Sequence, residues 1–234
     1  KLRYAESNIF GRVALPALMG LRAYSRGNVN KKSTARLYEV VSRTLACLAE
    51  APGREISVTG QTEVAIVFLD GACEPTKNKK ESRVTIGGVL VVDGRVIQHF
   101  GTVVPKALVE TWKKKDDQLQ FIGQAEILPT VVAKTTWAGF LKNKLVIFYI
   151  DNESARISLV KGSSPVRASQ ELLLRNIELD SKLGCRSYYA RVPTCCNIAD
   201  APSRLEDFEL RVVFRSKPVL PRLEGHNLAE GSLR

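Results

Sequence analysis

Four carboxylates stand where apolar segments would open onto a shared site. Asp70 ends the run Val64-Ala65-Ile66-Val67-Phe68-Leu69, and Asp151 ends Leu145-Val146-Ile147-Phe148-Tyr149-Ile150. Glu126 lies in Gln124-Ala125-Glu126-Ile127-Leu128, and Asp200 in Asn197-Ile198-Ala199-Asp200-Ala201-Pro202-Ser203-Arg204. A carboxylate buried without a partner loses several kcal/mol of hydration. Converging strand-end carboxylates therefore point to a divalent cation, and hard oxygen donors suit Mg²⁺ or Mn²⁺ better than zinc. Each residue also has a plainer reading. A strand-end Asp can be a turn or cap residue, Glu126 an exposed helix residue, and Asp200 an acid in the favourable first turn of a short helix. Pro129, three positions beyond Glu126, requires the helix there to start late or kink.

Those side chains need elements to position them. Residues 1–50 read as helical: Leu37, Val40, Val41, Thr44, Leu45 and Leu48 form one buried stripe, Ser33 or Thr34 is a cap, and Ile9 to Tyr24 is an earlier apolar helix. Ala51-Pro52-Gly53 breaks the pattern, and the strand-rich part begins at Glu63. Val84–Val92, an Asp93-Gly94 type I′ turn and Arg95–Val104 make a hairpin. Gly87-Gly88 in its first arm marks a bulge or a close backbone approach to a ligand. Pro105 and the run Lys113-Lys114-Lys115-Asp116-Asp117 read as a loop. A helix over Phe121–Leu141, a strand over Lys144–Ile150 and a helix over Glu153–Val160 follow. Another helix starts at Ser164-Pro165 and stops at Gly184. Arg186–Val192 is the last strand, and Asn197–Leu205 the last helix. The class is α/β, a mixed sheet with flanking helices. Three parts are expected: a helical segment 1–58, the sheet domain 59–206, and a C-terminal linker or docked arm 207–234.

In order and local context the four motifs resemble the ribonuclease H domain of reverse-transcribing retroelements, across about residues 60–206. That family places Asp on the first strand, Glu on the first helix, Asp on the fourth strand and Asp at the start of the last helix. Ala190-Arg191-Val192-Pro193 with Asn197 to Arg204 is similar to the last motif of protist retrotransposon polyproteins. The resemblance implies a five-stranded mixed sheet and hydrolysis of the RNA strand of an RNA·DNA hybrid with two Mg²⁺ or Mn²⁺ ions. Asp70 would bridge the ions, Glu126 and Asp151 would ligate one, and Asp200 would complete the other. Gly71 and Ala72 would turn backbone N–H groups to the RNA strand near its 2′-hydroxyls, and Asn152 and Ser154 would bond a phosphate or sugar. An upstream reverse transcriptase domain of the same polyprotein is an implied partner, with residues 1–58 as the connection. One departure stands out. Many ribonucleases H carry a His shortly before the last Asp, whereas Thr194-Cys195-Cys196 has none, and His99 and His226 lie elsewhere. A second expectation is therefore a weak or inactive domain serving as a nucleic-acid-binding module in a larger ribonucleoprotein.

Composition fits either reading. With 234 residues and 44% hydrophobic content there is room for a sizeable core plus a smaller element, and no apolar run approaches the roughly 18 residues of a membrane span. The chain opens Lys1-Leu2-Arg3 without Met, as a fragment or processed product would. Five cysteines, odd in number and lacking a C-x-x-C pair, argue against a disulfide framework or structural zinc and for an intracellular, reducing compartment. Thirty-five basic against 24 acidic residues give +11, which favours a polyanionic partner bound with salt-sensitive affinity. Lys113, Lys114 and Lys115, with Lys77, Lys79 and Lys80, are the expected electrostatic contributors. Trp112 and Trp137 read as core.

Overall fold

The apolar run before Asp70 forms β1 (Val64–Pro75), with Ala65, Val67 and Leu69 all buried on one face in the two-residue period of a strand. The structure, a computed structural model, describes residues 14–26, 31–50, 63–75, 82–116, 121–225 and 228. The boundary expected at 58/59, Lys77, Lys79, Lys80 and His226 lie outside them. Among the described residues two helices come first, α1 (Leu15–Ser25) and α2 (Lys31–Glu50). After β1 the hairpin β2 (Ser82–Val92) and β3 (Arg95–Val103) turns at Asp93 and Gly94, whose φ values of 49° and 72° are those of the expected type I′ connection. Then follow α3 (Lys106–Asp116), α4 (Ile122–Thr136), α5 (Ala138–Leu141), β4 (Leu145–Ile150), α6 (Glu153–Lys161), α7 (Arg167–Leu183) and β5 (Arg186–Arg191). A 3₁₀ turn at Thr194–Cys196 leads to α8 (Asp200–Ser203), α9 (Phe208–Val212) and β6 (Lys217–Pro218).

The fold is α/β, a mixed sheet in the order β5-β4-β1-β2-β3-β6 with flanking helices. β1 runs antiparallel to β2 and parallel to β4, and β5 continues the parallel half. Leu69 pairs with Ile150, so Asp70 and Asp151 leave neighbouring strand ends together. The core joins the buried side of β1, β2 and β4 to α4 and α7, with Phe100 against Trp137 and Trp112 against Phe121 at ring separations of 5.0 and 6.3 Å.

The described residues give six strands where five were expected, because the C-terminal segment supplies β6, paired parallel with Gln98 and His99 of β3. His99 is fully buried; Ser216 Oγ lies 2.8 Å from its Nδ1 and Asp207 Oδ2 3.3 Å from its Nε2. That trio has the residue types of a hydrolase triad, yet with no exposed edge it is a structural tie between β3 and the segment after α8. Burial holds the His99 pKa below its ordinary value, against the pull of Asp207. The Lys113–Lys115 run is the last turn of a helix and not a loop. Leu108, Val109 and Trp112 bury one face of α3, and the three cations complement its C-terminal dipole. Phe121–Leu141 breaks at Trp137, the last helix shortens to 200–203, and α7 begins at Arg167, two residues past Pro165, after Ser164 Oγ accepts the Val166 N–H at 3.2 Å. Helix α2 starts at Lys31, so Ser33 and Thr34 sit inside its first turn. Its buried side is Val40 and Thr44, with Val40 packing on Ala17 and Leu174 of α7 and Arg43 pairing with Glu178 at 2.6 Å. Leu45, expected in that stripe, is 55% exposed.

Candidate metal centre

The site is assembled where α4 crosses the end of β1. Gly71 makes that crossing possible: a Cβ there would stand 2.2 Å from the Ala125 carbonyl oxygen and 2.9 Å from the Glu126 nitrogen. Helix α4 passes through Pro129 without ending, and its missing N–H is the one that would have bonded the carbonyl four residues back, at Ala125. The carbonyl left without that helical partner is the one against Gly71. Backbone contact of this kind brings Glu126, expected to be exposed on the plainer reading, into the interior at 6% exposure.

Asp70, Glu126 and Asp151 each offer a carboxylate oxygen, and these oxygens lie within 4.8 Å of one another. Asp70 is held from the far side. Ser203 Oγ donates to its Oδ2, and Asn197 Nδ2 lies 3.5 Å from its Oδ1 while donating to the Leu69 carbonyl at 3.1 Å. Asn197 and Ser203 stood in the last motif without an assigned role; only their approach to β1 shows that they position Asp70. Gly87 of β2 explains how they reach it. A Cβ there would meet Ser203 N at 2.4 Å and Ala199 O at 2.8 Å, so the close approach foreseen at Gly87-Gly88 is made by the chain's own backbone.

Among the described residues two buried side-chain oxygens have no hydrogen-bond partner, Glu126 Oε2 and Asp151 Oδ1. Burial, reinforced by Asp70 and Asp151, pushes the Glu126 carboxyl up to about 9; the Asn152 side chain and the Gly71 N–H oppose the rise. Burial also raises Asp70, with Asp151 and Asp200 adding to it and the Ser203 hydrogen bond opposing it. Three acids crowded this closely, with orphaned oxygens and upward-shifted groups, offer carboxylate oxygens of the kind that could hold a hard divalent cation. Asp200 stands apart from the three. It is half-exposed and chelated by Arg204 one helical turn on, at 3.0 and 3.1 Å.

The other expected contacts divide. Gly71 is buried against α4, and Ala72 beside it is half-buried. Asn152 caps α6, its Oδ1 accepting the Ala155 N–H at 3.0 Å. Ser154 is exposed and lines a cleft of about 510 Å³ with Ser158, Ser164 and Ser169, beside Gly123 and Gln124 at the start of α4. Lys113 pairs with Glu110 at 2.7 Å and Lys115 with Glu171, while Lys114 is exposed. Trp112 and Trp137 are core, as expected. Lys134 went unremarked in the sequence and is fully buried. Its Nζ lies 2.6 Å from Asp180 Oδ1 and from Asn176 Oδ1, beneath the Tyr189 hydroxyl at 3.4 Å. Burial pulls its pKa down, but Asp180 outweighs that and holds it above the ordinary lysine range.

No protein-family model and no curated protein matches the sequence. Among solved structures the chain is similar to ribonuclease H1 from the halophilic archaeon Halobacterium salinarum NRC-1, at 19% identity and TM-score 0.48, over 60% of this chain and 95% of that one. It is similar also to the N-terminal RNase H domain of a Mycobacterium tuberculosis protein, solved as a maltose-binding-protein fusion, at 12% identity and TM-score 0.44, over 61% and 92%. A third is LC9-RNase H1, a type 1 RNase H with the type 2 active-site motif, at 11% identity and TM-score 0.44, over 76% and 99%.

Proposed function

We propose that this chain is a divalent-metal-dependent ribonuclease H-type endonuclease that cuts the RNA strand of RNA·DNA hybrids. The observation that carries the reading is the convergence of Asp70, Glu126 and Asp151 with two unpartnered buried oxygens. Asp70 is oriented by Ser203 and Asn197, and Glu126 and Asp151 present the free oxygens. Glu126 must give up its proton to serve as a ligand. Mg²⁺ or Mn²⁺, two ions on this reading, supplies an activated water and neutralises charge at the scissile phosphate when bound. Asp200 joins the set by exchanging its Arg204 pair, and Asn152, Ser154 and Lys114 contact the nucleic acid.

On the same reading the domain belongs to a retroelement polyprotein, acting in a reducing intracellular compartment. Its parts are 1–58, 59–206 and 207–234, and the packing of α2 on α7 suits a connection from an upstream reverse transcriptase. The Asp200–Arg204 pair favours one alternative, a catalytically weak domain that holds nucleic acid without cutting it.

The test is cleavage of labelled RNA·DNA hybrid, double-stranded RNA and double-stranded DNA with Mg²⁺ or Mn²⁺. Hybrid-specific cutting is expected. Asp70→Asn and Asp151→Asn are expected to lower it by about 10²–10³-fold, several kcal/mol at about 1.4 kcal/mol per tenfold, with no loss of thermal stability. Cutting undiminished in both variants would remove this site assignment, and salt-sensitive binding without cutting would establish the alternative.

A further inference from the structure

Cys195 and Cys196 are adjacent, both exposed, and their sulfurs lie 3.8 Å apart. They sit in the 3₁₀ turn, where the Cys196 N–H donates to the Pro193 carbonyl at 2.8 Å and the Asn197 N–H to the Thr194 carbonyl at 3.1 Å. The next side chain is Asn197, which bonds the Leu69 carbonyl, approaches Asp70 Oδ1 and accepts the Ala199 N–H at 3.2 Å. One peptide bond thus separates an open dithiol from a residue that positions Asp70. The other thiols are placed differently: Cys185 is buried and bonded to Asp180, and Cys47 and Cys73 are half-buried.

We propose that Cys195 and Cys196 form a thiol–disulfide exchange site for small-molecule disulfides, and that its oxidation releases Asn197 from Asp70. The Cys195 thiolate attacks one sulfur of the small disulfide, whose S–S bond breaks and expels a first thiolate. The Cys196 thiolate then attacks the Cys195 sulfur of the mixed disulfide and expels the second. Two electrons pass from the protein sulfurs to the oxidant, and the two thiol protons end on the two released small thiols. The two sulfurs share one contact in which either thiol can donate, so the exchange can equally begin at Cys196 with the roles reversed.

Closing the bridge reshapes the turn. A disulfide needs its sulfurs about 2.05 Å apart and usually spans Cα atoms about 4.4–6.8 Å apart, whereas consecutive Cα atoms are only about 3.8 Å apart across a trans peptide. The peptide between the two cysteines must rotate, and its N–H is the one bonded to Pro193. That rotation is passed to Asn197. Exposed, strained bridges of this kind are also the readily reduced ones, so the change reverses.

The experiment equilibrates the full chain with reduced and oxidised glutathione as the probe. Peptide mapping of the fragment between Arg191 and Arg204 reports the bridge, and hydrogen exchange reports the amides of 196–199. We expect a 195–196 bridge reversed by reductant, with faster exchange at those amides. Adducts without a bridge, or a bridge with unchanged exchange, would overturn the proposal. The consequence for metal rests on the reading of Asp70 as a ligand: Mn²⁺ affinity is expected to fall by about 10–100-fold on oxidation, as when an outer-shell partner is lost. Cys195→Ser and Cys196→Ser proteins should keep their Mn²⁺ affinity in oxidant; a fall in either would overturn the link. If reduced protein binds no Mn²⁺ at all, the metal reading fails, and mapping and exchange alone decide the dithiol.

Discussion

At Glu126, burial and two neighbouring carboxylates act in the same direction, and the carboxyl keeps its proton up to a pH of about 9. In the unfolded chain the same group titrates near the ordinary Glu value of about 4.3. Between those values the folded state holds a proton that the unfolded state has released. The stability linked to Glu126 is therefore complete below the unfolded value and lost as pH rises through the folded one. Asp70 adds to the same trend. Thermal unfolding in chelator should show the metal-free protein weakening from pH 5 to 9, and Glu126→Gln should flatten that decline. Parallel profiles for parent and variant would contradict the burial argument. Mn²⁺ must displace the same proton, so its affinity should rise with pH over this range, measured by calorimetry in buffers of different ionisation enthalpy. Asp70 and Asp151 were legible in the sequence because a carboxylate at the end of an apolar run has so few inexpensive explanations. Asp200 and Arg204 pair at a four-residue spacing within their own turn, whereas Ser203 and Asn197 make their contacts only once β1 is folded beside them.

Helix α4 carries two buried titratable groups on its length, the protonated Glu126 towards the strand ends and the charged Lys134 two turns further on. Lys134 ties three elements together: its ammonium meets Asp180 and Asn176 of α7 and the Tyr189 hydroxyl of β5, while Asp180 also accepts from Ser187 at 2.6 Å and Cys185 at 3.0 Å. Removing one member leaves a buried charge without its counterion. Lys134→Met is expected to cost about 3–5 kcal/mol, measured by urea unfolding, and the double change Lys134→Met with Asp180→Asn to cost less than the two single costs added. An additive double variant would mean that the two charges do not depend on each other. Element types and order were largely readable, because the strands alternate or run apolar and the helices carry one apolar face. What misled was local composition. Three lysines and two acids looked like a loop, but Trp112 and Val109 hold α3 to the core as far as Asp116. Pro129 called for a late start or a kink in its helix; α4 runs through it from Ile122, and the carbonyl it leaves without a helical partner lies where β1 crosses. The sixth strand is two residues long, too short for any periodicity to announce it.

For the whole molecule, net charge and its local neutralisation have to be read together. The chain carries +11, so binding to duplex nucleic acid should weaken linearly in log salt. Each lysine that meets a phosphate contributes about 0.9 to that slope. Lys113 and Lys115 already have carboxylate partners, and Lys114 is exposed. Replacing all three with Gln is expected to lower the slope by about one and not about three, measured by fluorescence anisotropy between low and moderate salt. An unchanged slope would place the nucleic acid on another face. Sequence alone gave the sign of the charge, but not which cations were already spoken for.

The two margins of the sheet have a bearing on solubility. An unpaired margin invites a strand from another molecule. On one side β6 covers β3 for only two residues, but one of them is Pro218, which has no N–H to offer a newcomer, and Val219 donates to the His99 carbonyl at 2.9 Å. On the other side β5 is six residues long, with an exposed arginine at each end, Arg186 and Arg191. A second copy pairing there antiparallel and in register would set Arg186 of one chain opposite Arg191 of the other, twice over. Like charges placed directly across a ladder repel. One margin is closed by a missing donor and the other by cationic ends, so the sheet discourages its own copies from extending it.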